Sequence, residues 1–131
     1  MRWIEKMLDI NVDTVRFIID KAHEFQAKEA VSIPEEPLSP AEDWALQILA
    51  DHVDDPTYLE VGSVIDDLGP DQRVALVALM WCGRGDYDAA SEWDEAMAAA
   101  LAAANNRTAE YLMATPLVAD YLEEGLAQIE D

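Results

Sequence analysis

One cysteine, Cys82, stands alone among 131 residues, which excludes an internal disulfide, a thiolate metal cluster and a paired-cysteine redox motif. A reducing compartment is the setting this implies. Imidazoles are nearly as scarce: His23 and His52 are the only two, and neither stands at metal-ligand spacing from the other or from Cys82. Lysine is absent after Lys28. Residues 35–131 carry twenty-two acids against Arg73, Arg84 and Arg107, whereas residues 1–34 hold six acids and five bases. The net charge of −20 repels phosphates and anionic headgroups, so neither nucleic acid nor a membrane surface is an expected partner. Long apolar runs are missing as well. The longest, Val74 to Cys82, is nine residues, and a membrane span needs roughly 18. Glu5, Lys6 and Asp9 interrupt the N-terminal stretch before it forms a signal-peptide core, and a cytoplasmic protein is expected.

What is present argues for a folded domain. The apolar fraction is 51% beside 27% charged residues, enough to build a segregated core. At this length one domain over 1–131 is expected, with about two-thirds of the unfolded surface removed from water. Glu29 to Pro40, with Pro34 and Pro37 inside it, reads as an extended linker that sets the N-terminal helices apart.

Proline and capping residues mark helix starts: Ser39-Pro40-Ala41-Glu42 is a capping box, and Asp55-Pro56, Gly69-Pro70 and Thr115-Pro116 open further segments. Gly69 is expected to end the preceding helix in a left-handed turn, and Gly83-Arg84-Gly85 to end the next. Apolar residues recur at helical spacing from Val12 to Phe25, Tyr58 to Leu68, Trp93 to Ala104 and Val118 to Ile129. Val74 to Cys82 is apolar on all sides and belongs at the centre. The alanine run 98–104 is expected to allow a close helix approach. The expected architecture is all-α, a compact orthogonal bundle of about six or seven short helices around a central apolar helix at 74–82.

Chemistry-bearing residues concentrate in Trp81-Cys82-Gly83-Arg84-Gly85-Asp86-Tyr87-Asp88, followed by Glu92-Trp93-Asp94-Glu95. A second element runs from Asn106-Arg107-Thr108-Ala109-Glu110-Tyr111-Leu112 through Thr115-Pro116-Leu117 to Asp120-Tyr121-Leu122-Glu123-Glu124-Gly125-Leu126. Together they resemble an uncharacterised bacterial family of small helical proteins, a domain of unknown function, over about Asn11 to Leu126. The resemblance implies a fold and a cellular setting; it implies no activity and no catalytic residue.

Physically, Trp81, Arg84, Asp86, Tyr87, Trp93, Arg107 and Tyr111 form a candidate ligand or partner surface, with two guanidinium groups among carboxylates and aromatics. The competing account makes each arginine a structural anchor on Asp86, Asp88 or a helix C-terminus. Glu92/Glu95 with Asp120/Glu123 imitate the paired carboxylates of helical Mg²⁺ nucleotide pyrophosphohydrolases. At 100° per residue, however, Glu95 and Asp120 point away from their apolar stripes, toward solvent. His52, in Asp51-His52-Val53-Asp54-Asp55, resembles half of a metal-phosphohydrolase pattern whose other histidines are missing, and reads better as a helix-end imidazole among carboxylates. Asp86-Tyr87-Asp88 starts like a calcium loop, but Ser91 and Met97 stand where glycine and glutamate are required. Cys82 reads as an inert buried thiol. The expectation is a non-enzymatic cytosolic interaction module with an acidic face for a basic protein, without cofactor or metal, as monomer or homodimer. The alternatives are a small-molecule-binding protein with a site near Arg84/Arg107, and the Mg²⁺ pyrophosphohydrolase.

Overall fold

The computed structural model describes residues 10–29, 55–105, 107–115 and 117–129, and every regular element among them is helical. Helix α1 spans Val12–Glu29, α2 Pro56–Asp67, α3 Pro70–Arg84, α4 Trp93–Ala103, α5 Thr108–Ala114 and α6 Val118–Ile129. The proline-rich stretch beyond Glu29, the Ser39-Pro40 helix start and His52 lie outside the described residues.

Val74 to Cys82 are buried without exception, so α3 is surrounded as its uniform apolarity requires. It packs most extensively on α6, then on α4, and touches α5; α1 packs on α2 and α6, and α2 on α5. Each fully buried Leu, Val or Met contributes about 1.5–3 kcal/mol relative to exposure, which makes α3 the main apolar contributor to stability. The α3–α6 crossing is close because glycines face it. A Cβ on Gly83 would fall 1.7 Å from the Tyr121 carbonyl oxygen, and one on Gly125 would fall 2.5 Å from that of Leu79.

Helix ends follow local chemistry. The Asp55 carboxylate accepts from the backbone amides of Thr57 at 2.8 Å and Tyr58 at 3.2 Å, capping α2 ahead of Pro56. At the other end of α2 the Arg73 guanidinium donates to the carbonyls of Leu68 and Asp66, where the helix dipole favours a cation. Gly85, at φ 101°, ends α3 in the left-handed region. There the Asp86 amide reaches the Trp81 carbonyl at 3.0 Å and the Gly85 amide the Cys82 carbonyl at 3.1 Å, a Schellman pair.

Two local expectations are corrected. Gly69 is not left-handed but extended, at φ −66° and ψ 160°, because the ring of Pro70 disfavours helical geometry in the residue before it. In α4 only Ala96 and Ala100 are buried, while Leu101 is 64% exposed and Ala104 also faces out. The alanine run lets α4 lie against α3, but the glycine-mediated close approach is at α3–α6.

Candidate functional site

The Gly85 turn folds the chain back over the C-terminal end of α3. It brings Asp86 under Arg84, whose Nε donates to Asp86 Oδ2 at 2.8 Å while Nη2 lies 2.6 Å from the same oxygen. Tyr87 lands on Trp81, their rings stacked with centroids 6.4 Å apart. Trp81 Nε1 donates to the Tyr111 hydroxyl at 2.8 Å in a buried contact, tying α3 to α5. Arg84 also engages that hydroxyl. Burial works against the guanidinium charge, yet Asp86 and Tyr111 outweigh it and raise the Arg84 pKa. The Tyr111 phenol is raised too, chiefly by burial, with the Trp81 hydrogen bond and Arg84 opposing.

A recess of about 260 Å³ lies over this knot, lined by Trp81, Arg84, Asp86, Tyr87 and Ala99. Trp81, Arg84, Asp86, Tyr87 and Tyr111 therefore meet in one place. Trp93 does not line the recess; it opens α4 with its ring packed partly into the core. Arg107 does not line it either: it precedes α5, and its amide donates to Asn105 Oδ1 at 2.9 Å. The polar centre of the cluster is thus closed on itself, with Arg84, Asp86, Tyr111 and Trp81 serving one another.

Beside the knot, residues 85–92 form a short loop held at several points. The Asp88 amide donates to Glu92 Oε1 at 2.9 Å, and the Ala90 amide to Asp88 Oδ1 at 2.8 Å. Gln128 of α6 was not singled out by any sequence signal, yet it clamps the loop. Its Oε1 accepts from the Ala89 amide at 3.1 Å and its Nε2 donates to the Cys82 carbonyl at 3.0 Å. A cleft of about 410 Å³ follows, lined by Cys82, Gly85, Tyr87, Asp88, Glu92 and Gln128. Burial, reinforced by Asp88, Glu92 and Asp86, pushes the Cys82 thiol up to about 11, so it is protonated and unreactive near neutrality.

Elsewhere, Tyr58 packs on Phe25 at 5.5 Å, and its phenol is raised to about 12 by burial, then by Glu110 and Asp66. Glu95 and Asp120 are both exposed, in line with their helical-wheel positions. Glu92 is occupied with the Asp88 amide, and Glu92 and Glu95 do not gather with Asp120 and Glu123. Among the described residues one group of three His, Cys, Asp or Glu side chains has its ligand atoms within 4.8 Å of one another: His23, Asp120 and Glu123. No described helix is long and apolar enough to cross a membrane.

No curated protein and no solved structure matches the chain. A family model does, over residues 58–130, from the first turn of α2 to the end of α6. That span contains the Trp81–Asp88 knot and the Asn106–Leu126 element but begins well after Asn11, so α1 lies outside it. With more than half of its length matched, the chain belongs to the family described as protein of unknown function, DUF3775.

Proposed function

We propose that this protein is a non-enzymatic interaction module that docks a basic segment of a partner protein on its acidic segment 85–95, the loop 85–92 and the first turn of α4. The observation that carries this reading is the exposed set Asp88, Asp94 and Glu95 around the half-buried rings of Tyr87 and Trp93, on the first turn of α4 and a preceding loop already fixed by the Schellman turn and Gln128. Carboxylates draw a Lys- or Arg-rich segment, aromatic faces accept its cations, and a pre-fixed loop lowers the ordering cost of binding. The nearby cation does not cancel this field, because Arg84 is paired with Asp86. A cytosolic, bacterial setting belongs to the same reading; the single cysteine and the family resemblance support it.

A salt-graded affinity pull-down from native cytosol, run beside a triple variant Asp88→Asn, Asp94→Asn, Glu95→Gln, tests this reading. Recovery of a basic protein that modest salt releases, and that the triple variant loses, is the expected result. Equal recovery by wild type and variant would remove the loop from the account.

The second reading, a small-molecule site near Arg84/Arg107, draws on the meeting of Trp81, Arg84 and Tyr111 at one recess. A ligand there has to displace Asp86 and Tyr111 from the guanidinium. If Arg84→Ala lowers Tm while leaving every thermal-shift response to metabolites and nucleotides unchanged, the arginine is an anchor only. The pyrophosphohydrolase reading needs Glu92, Glu95, Asp120 and Glu123 within reach of one Mg²⁺, and their placement gives it no support.

A further inference from the structure

Beyond the docking role, and independent of it, we propose that His23, Asp120 and Glu123 form a site for a divalent transition-metal ion of the zinc class, joining α1 to α6. Asp120 and Glu123 are three residues apart on α6 and share one helical face. The packing of α1 on α6 carries His23 to that face. Its Nε2 lies 3.6 Å from Asp120 Oδ1 and 3.7 Å from Glu123 Oε2. Zinc bonds of about 2.0–2.2 Å to nitrogen and oxygen set tetrahedral ligand separations of roughly 3.3–3.5 Å. The two separations from His23 need to close by only a few tenths of an ångström, and the ligand atoms of all three side chains lie within 4.8 Å of one another.

The imidazole separates this group from the many exposed carboxylates of the chain. Mg²⁺ and Ca²⁺ take oxygen donors, whereas a nitrogen donor beside two carboxylates favours zinc, nickel or copper. Three protein ligands leave a coordination position for water, and a cleft of about 470 Å³ lined by Arg16, Ile19, Asp20, His23 and Glu123 adjoins it. Sequence spacing hides the site because the histidine and the carboxylates come from opposite ends of the chain. An imidazolium bridging the two carboxylates satisfies the same distances without a metal, and it is the outcome that opposes the proposal.

Titration calorimetry of the full chain with zinc chloride, in wild type, His23→Ala and His52→Ala, discriminates the two. The side chain of His23 is 48% exposed, so His23→Ala leaves the core intact. The expected result is one zinc per chain that excess Mg²⁺ does not displace. His23→Ala should weaken it by at least about tenfold, the scale on which even supporting groups of metal sites act, and His52→Ala should not. A ¹⁵N spectrum of the wild-type imidazoles supplies a readout that needs no variant: zinc should shift the His23 ring nitrogens. Absence of zinc binding, equal binding by His23→Ala, or loss in His52→Ala overturns the site and leaves the imidazolium bridge.

Discussion

Helix α6 takes part in two seams of opposite character. Against α3 it is closed: Gly83 and Gly125 bring the backbones together, and Gln128 joins α6 to the Cys82 carbonyl. At the same end of α3, Trp81, Arg84, Asp86 and Tyr111 satisfy one another. Against α1 the outer rim is open, with His23, Asp120 and Glu123 facing one another at the surface. A polar group enclosed with its partner is costly to remove, because the partner is left buried and unpaired. A polar group at an exposed rim costs little, because water replaces it. The closed seam therefore holds the fold, and open surfaces such as the α1 rim and the 85–95 segment are where binding belongs.

Substitution should separate the two seams in a graded way. Gly83→Ala carries the largest effect, since the added methyl meets backbone of α6; a loss of at least about 3 kcal/mol in urea unfolding, or failure to fold, is expected. Tyr111→Phe removes the acceptor of the buried Trp81 N–H and a partner of Arg84, and should lower stability by about 1–3 kcal/mol. Gln128→Ala breaks two hydrogen bonds to backbone and should cost about 1–2 kcal/mol, with increased amide exchange at Ala89.

These positions also show how far the residues alone were legible. The burial of α3 was readable because Val74 to Cys82 offers no polar face, and the α2 start because Asp55-Pro56 carries both a cap and a fixed φ. Gly69 misled because glycine permits a left-handed turn that the following proline then disfavours. In the candidate site, the concentration of Trp81, Arg84, Asp86 and Tyr87 was legible as neighbours in sequence, and Tyr111 as part of the second motif. Its closure was not, because the Trp81–Tyr111 bond and the Gln128 clamp are tertiary contacts. Gly83 facing Gly125 and His23 facing Asp120 are equally pairings between distant segments that no one-dimensional period encodes.

Smaller effects sharpen the contrast. Tyr58, packed at the α1–α2 contact, has a folded pKa of about 12 against an ordinary 10. Folding thus favours its protonated form. That contribution is fully present below pH 10 and is lost as pH rises through about 12, so Tyr58→Phe should flatten the fall of unfolding midpoints between pH 10 and about 12. His23→Ala, at the exposed rim, should change metal-free stability by no more than about 0.5 kcal/mol.

Equilibrium urea unfolding of Tyr111→Phe beside His23→Ala, both metal-free and at one pH, tests the division between the seams most directly. A clear drop in midpoint for Tyr111→Phe with an unchanged midpoint for His23→Ala is the predicted result. A drop in His23→Ala as large as that in Tyr111→Phe would contradict it, and would make the α1–α6 rim part of what holds the fold.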